Sequence, residues 1–289
     1  MTRWALLLEY DGTPFVGWQR QVNGLSVQEV LERAAAHLNA SRPVASIVAG
    51  RTDAGVHAEG QVAHIELPDG HRAKTVREAL NYHMKPHPVV VLAAVPVTDD
   101  WNARFAADRR SYRYRILDRP SRPALMVNRV WHVPNMLDAA AMHAAGQHLL
   151  GRHDFTSFRA ASCQAKSPVR TLDRLDVTRR GDIVEVVTAA RSFLHHQVRN
   201  FVGTLKLVGN GHWPVEHMIT VLEAKDRAAA GPTAPSAGLT LIGVGYPDDP
   251  FRPGPYPEGL LPGILLPGGP FPVQEVTDMA IDASRIPID

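Results

Sequence analysis

At 289 residues with 45% apolar side chains, the chain is long enough for one large or two small cored domains, and no run of roughly 18 apolar residues marks a membrane span. Its single cysteine, Cys163, excludes an internal disulfide and a multi-thiolate metal site, and a start at Met1-Thr2-Arg3-Trp4 without a charged-then-apolar leader points to the cytoplasm. The net charge of +2 conceals an asymmetry, because residues 248–289 hold seven acidic and two basic side chains and residues 1–247 therefore carry +7.

In chain order, residues 4–10 read as a strand. Ser26 and Glu29 form a capping box ahead of Val27, Val30, Leu31, Ala34 and Leu38, which share one helical face. Residues 46–49 and 61–67 read as strands around a Gly-rich loop. A short helix opened by Thr75 runs to residue 83, and residues 89–95 read as a buried strand. The order is β-α-β-β-α-β, a ferredoxin-like unit. The second half repeats it. Tyr112, Tyr114 and Ile116 share one face of a strand over residues 111–116, and Met142, Ala145 and Leu149 lie at helical spacing over residues 138–150. A hairpin turns at Arg180-Gly181-Asp182 between strands 171–178 and 183–189. Helices follow over residues 196–208 and 215–224, and a strand over residues 239–244 closes the pattern.

The fold class expected is α+β, with two ferredoxin-like subdomains whose mostly antiparallel sheets meet at a central cleft. The first spans residues 1–103 and carries the Gly-rich loop, and the second spans residues 104–247. Residues 248–289 form a Pro-rich acidic tail, since ten prolines after residue 246 leave no room for a regular core element.

The chemistry concentrates at Gly50-Arg51-Thr52-Asp53-Ala54-Gly55-Val56-His57, a loop between two strands that either holds side chains toward a cleft or is a tight connection with Asp53 as a turn residue. Neither the phosphate-loop pattern nor Gly-x-Gly-x-x-Gly after the first strand is present, so no nucleotide cofactor is expected. Gly-x-Ser-x-Gly is missing too. Fourteen histidines invite a metal hydrolase using His57, His64, His153 or His195. No His-Glu-x-x-His occurs, however, and His195-His196 are expected on different helix faces, so no metal is assigned. The arginines at 104, 109, 110, 113, 115, 119, 122 and 129 face only Asp108 and Asp118 locally, which suits either a phosphate backbone or a solvated face.

The segment 50–58 resembles the signature loop of the TruA-type tRNA pseudouridine synthases. The resemblance extends from residue 4 to about residue 247 through Tyr10-Asp11-Gly12, Gly17-Trp18-Gln19-Arg20-Gln21, Asn102-Ala103-Arg104-Phe105, Tyr112-Arg113-Tyr114, His153-Asp154-Phe155-Thr156-Ser157-Phe158 and Phe193-Leu194-His195-His196-Gln197-Val198-Arg199-Asn200. It departs at Lys85-Pro86-His87-Pro88, where the family reads Leu-Pro followed shortly by Asp, and in the Pro-rich tail.

The resemblance implies an isomerase that converts uridine to pseudouridine in the anticodon stem-loop of tRNA (positions 38, 39 and 40), acting as a cytoplasmic homodimer without cofactor or metal. It makes Asp53 the catalytic carboxylate, with Arg51 or Arg199 as the cation that keeps it ionised. Arg51 is also expected to fill the gap left by a flipped nucleotide. Tyr112 is expected to stack on the uracil and relay a proton, while Tyr114 stays in the core. Trp18, Arg20, Gln21, His57, Arg104, Arg109 and Arg110 are the expected tRNA contacts. A synthase acting on another RNA and a non-catalytic RNA-binding protein are the alternatives.

Overall fold

The computed structural model describes residues 1–251 of the chain. Strand β1 (Thr2–Tyr10) sends Trp4, Leu6, Leu8 and Tyr10 to the main core and Leu7 to the opposite face, as strand alternation requires. Helix α1 (Val27–Ala36) starts where the capping box places it, with the Glu29 amide donating to Ser26 Oγ at 3.2 Å. β2 (Ser46–Val48) and β3 (His57–Leu67) flank the Gly-rich loop. Helix α2 (Ala73–His83) begins two residues before Thr75, from an Arg72 cap position that makes no side-chain hydrogen bond. β4 (Val89–Val97) completes the first unit.

The second unit runs through β5 (Arg109–Leu117), the short β6 (Trp131–His132), α3 (Ala139–Gln147), β7 (Gly151–Asp154), β8 (Val169–Arg180), β9 (Ile183–Ala190), α4 (Gln197–Gly209), α5 (His217–Ala224) and β10 (Leu239–Gly245). Two of these, β6 and β7, are too short to leave a periodic signal in sequence.

The α+β architecture is as expected, but the halves do not own separate sheets. Ten strands form one sheet, with the path β4-β1-β3-β10-β5-β9-β8-β7, β2 on β3 and β6 on β5. The join is parallel, with Thr240 and Leu241 of β10 opposite His57 and Ala58 at the start of β3. β2 takes the same edge of β3 further along, at Ala63, His64 and Ile65. The long strand β3 thus serves its own unit with one end and the other unit with its beginning, which places the Gly-rich loop at the seam. A second, smaller cluster on the opposite face gathers Leu7, Ala49, Val62, Ala103, Ala107 and Tyr246, so the connection between the halves is itself packed on the sheet.

No helix among the described residues is long and apolar enough to cross a membrane. Most of the Pro-rich acidic tail expected over residues 248–289 lies outside the described residues.

Candidate active site

The loop between β2 and β3 is held from below and from the side. Gly50 C=O accepts from Gln61 Nε2 at 2.7 Å, and the buried Thr52 hydroxyl lies 2.7 Å from the Tyr10 hydroxyl. Burial pushes the Tyr10 phenol up to about 12, so it stays a neutral hydrogen-bonding partner. Beside the loop runs the opening motif. The Trp18 amide donates to Thr52 C=O at 3.0 Å, the Gly55 amide donates to Phe15 C=O at 3.3 Å, and Gly17 faces Asp53 as an isolated antiparallel bridge. Gly17 sits at φ +115, and a Cβ there would stand 2.7 Å from Thr52 O. A Cβ on Gly12 would meet Val56 O at 2.0 Å, so only glycine lets this strand of chain lie against the loop.

Asp53 is thereby presented, partly exposed, toward the second unit. Arg199, on the first turn of α4, reaches across and donates from Nη1 to Asp53 Oδ2 at 3.3 Å, while its Nε donates to Ala234 C=O at 2.8 Å. The cation beside Asp53 is Arg199. Arg51 is exposed and makes no ion pair among the described residues.

His195 and His196 also converge on Asp53. His195 Nε2 lies 3.4 Å from Oδ1 and His196 Nε2 lies 3.3 Å from Oδ2. The expectation that these rings face different sides of a helix is corrected. The helix begins at Gln197, and His196 sits outside it at φ +62, so the rings lie 4.0 Å apart on the same carboxylate. Burial, set against the pull of Asp53, holds His196 below the usual imidazole value, and His195, Arg199 and Arg227 push the same way as burial.

Tyr112, central in β5 between Leu241 and Thr188, is 9% exposed, with its ring edge-on to Phe193 at 5.3 Å. Burial above all, then the proximity of Tyr10 and Asp53, raises its phenol well beyond the ordinary tyrosine range, so it stays neutral. Tyr114, donating to Pro235 C=O at 2.7 Å, is a core residue as read from the sequence.

The expected RNA contacts divide. Arg20, Gln21, Arg104 and Arg109 are exposed. Trp18 is 1% exposed and packs beside Tyr10, so its ring supports the site from within. His57 is buried as the first residue of β3, with Nδ1 accepting from the Gly12 amide and Nε2 on Asn128 C=O at 2.7 Å, which leaves its ring in the scaffold. Arg110 is buried too. Its guanidinium donates to the carbonyls of Ala49, Arg104, Ala107 and Arg191, so its donors are spent inside the protein rather than on phosphate. Tertiary partners also quench much of the arginine run, since Arg113 pairs with Glu59 and Glu185, Arg115 with Glu185, Arg119 with Asp182 and Arg129 with Asp11.

The sequence reading missed the clamp made by Arg110 and the two-histidine flank of Asp53. A signal for the second lay in the adjacent histidines just before an amphipathic helix, where a cap residue is free to leave the helical path.

Comparison with known proteins matches residues 7–106 and 145–247 to a family model described as tRNA pseudouridine synthase. The chain is 65% identical over 252 residues to tRNA pseudouridine synthase A of Acidiphilium cryptum, covering 87% of this chain and 99% of the relative. It is 59% identical over 254 residues to the protein of that name from Gluconobacter oxydans, covering 87% of this chain and 92% of the relative. For the Paramagnetospirillum magneticum protein of that name the identity is 59% over 255 residues, covering 88% of this chain and 99% of the relative.

Proposed function

The chain belongs to the tRNA pseudouridine synthase family, and on that premise we propose that it isomerises uridine to pseudouridine in the anticodon stem-loop of tRNA with Asp53 as its catalytic carboxylate. The observation that carries the assignment of Asp53 is its position, on a loop fixed by the first unit and facing a cation, Arg199, from the second at 3.3 Å.

The reaction breaks the bond from ribose C1′ to uracil N1, turns the base, and joins C1′ to C5, after which C5 loses a proton and N1 gains one. Nothing is oxidised and no group is supplied, so side chains suffice. An ionised aspartate beside the flipped nucleotide attacks the ribose or base, or removes a sugar proton. Arg199 orients that carboxylate through a charge-assisted hydrogen bond and is itself aimed by Ala234 C=O. The Tyr112 ring offers a wall against which the detached uracil stacks, and its neutral hydroxyl serves the late proton transfer.

Substrate grip comes from the exposed cations at Arg20, Arg51, Arg104 and Arg109. Arg51, next but one to Asp53, is placed to enter the stack that the nucleotide leaves. Two copies of the chain, working in the cytoplasm, share one tRNA and read it by shape and phosphates.

The test uses tRNA tritiated at uracil C5, in excess chelator, with the native protein and Asp53→Ala. Tritium release by the native protein alone, with pseudouridine mapped to the anticodon arm, supports the reading. Binding of tRNA by both proteins with release by neither overturns it.

A further inference from the structure

We propose that Asp53, His195 and His196 form a site for a divalent transition metal of the zinc class, whose occupancy blocks the catalytic carboxylate. The metal is an exchangeable inhibitor here. The reaction itself has no need of it.

The spacing carries the argument. A tetrahedral metal with bonds of about 2.0–2.2 Å holds neighbouring ligand atoms about 3.4 Å apart. His195 Nε2 stands 3.4 Å from Asp53 Oδ1, and His196 Nε2 stands 3.3 Å from Asp53 Oδ2. The three residues can each offer an atom with all three atoms inside 4.8 Å, and among the described residues they are the one such group of three or more. Two imidazoles and a carboxylate with water in the fourth position is a zinc donor set, and one that magnesium, which prefers oxygen, does not favour.

Two further observations support ligation. His195 Nδ1 lies 3.1 Å from Ser162 Oγ, and a proton on Nδ1 donated to that hydroxyl leaves the Nε2 lone pair facing Asp53. His196, a non-glycine residue at φ +62, spends backbone strain to turn its ring off α4 and onto the same carboxylate.

Arg199 works against a second cation because its guanidinium already engages Oδ2. The site is therefore weaker than a closed four-ligand structural zinc site, and occupancy exchanges with solution zinc. A bound metal and an approaching uridine compete for the same oxygens, so prior binding of tRNA should protect the enzyme. This inhibition rests on Asp53 being the catalytic carboxylate, whereas metal binding does not.

The experiment titrates the chelator-treated full chain with cobalt(II) and zinc. It compares native protein with His195→Ala and with His196→Asn, the latter because asparagine tolerates the left-handed backbone. Expected are one cobalt per chain with the strong visible bands of four-coordination, displacement by stoichiometric zinc, and an affinity at least about tenfold weaker in each variant. Folding of the variants is checked by circular dichroism, and Asp53→Asn, nearly isosteric, should lose the cobalt spectrum in the same way. Tritium release should be inhibited by zinc, spared by equal magnesium, and restored by chelator. Cobalt binding that is absent, or unchanged in all three variants, overturns the site. An intact cobalt spectrum with no tritium release under any condition would instead overturn the catalytic reading and leave the site standing.

Discussion

Asp53 Oδ2 and Arg199 Nη1 meet at 3.3 Å across 146 positions of sequence, the carboxylate from a loop of the first unit and the guanidinium from a helix of the second. Each half supplies one charge. Asp53→Asn is expected to reduce single-turnover pseudouridine formation by about 10⁴-fold or more, because an amide neither attacks nor takes a proton. Arg199→Ala should cost about 10²–10³-fold, and Arg199→Lys should recover part of that, since an ammonium keeps the charge but cannot serve Ala234 and Asp53 with separate nitrogens. An Arg199→Ala variant with native rates would remove this residue from the mechanism.

Tyr112→Phe separates the ring from its hydroxyl. The ring and its edge contact with Phe193 at 5.3 Å remain, so tRNA affinity should stay within a few-fold of native. Loss of the proton relay should slow tritium release by about 10²–10³-fold in a single-turnover assay. A larger loss in affinity than in rate would make Tyr112 a stacking residue only.

Arg110 and the pair Arg104 and Arg109 are neighbours in sequence with opposite expected behaviour. Arg110→Met removes four hydrogen bonds to backbone carbonyls, two buried and two part-buried, and should destabilise the fold by about 3 kcal/mol or more, read from urea denaturation. Arg104→Ala and Arg109→Ala should each leave stability within about 0.5 kcal/mol and lower the salt dependence of tRNA binding by about one unit of slope. An unchanged slope in both would place the RNA path elsewhere.

Asp118 has a fully buried side chain that accepts from Arg179 at 2.9 Å and from the Leu137 amide at 2.8 Å. Arg179→Met strands that carboxylate, and the expected loss is about 3–5 kcal/mol of stability with no change in the salt dependence of RNA binding. A melting temperature equal to that of the native protein would show that the ion pair is dispensable.

His64 gives the fold an acid limit. Burial first, and Arg3 second, hold its folded value at about 4 against 6.5 for the free side chain. Above 6.5 both states are neutral and His64 adds no pH dependence. Between 6.5 and about 4 the unfolded chain takes up a proton that the folded one refuses, so stability falls as pH drops; below that range the slope vanishes. His64→Asn keeps an acceptor for the Ala103 amide, now 3.1 Å from Nδ1, and should flatten the decline of urea midpoint over this interval. An equal decline in the variant would assign the pH dependence to other groups.

Local periodicity was enough for the main elements, because strand alternation at Trp4, Leu6, Leu8 and Tyr10 and the capping box at Ser26 are properties of neighbouring residues. The loop around Asp53 stood out through its resemblance to a family signature, since backbone contacts as close as those at Gly12 and Gly17 admit few residue types and so leave a motif. Tertiary structure alone decided what depends on distant chain. The parallel join of β10 to β3 merges two expected sheets into one, and parallel pairing between remote strands has no local signature. Charge read along the chain grouped Arg110, Arg113 and Arg129 in one basic run that suited a phosphate backbone or a solvated face, whereas the carbonyl that holds Arg110 and the carboxylates that neutralise Arg113 and Arg129 come from far along the sequence. The choice of Arg199 over Arg51 as the cation of Asp53 was likewise a matter of which helix the fold lays against the loop, and composition carries no record of that.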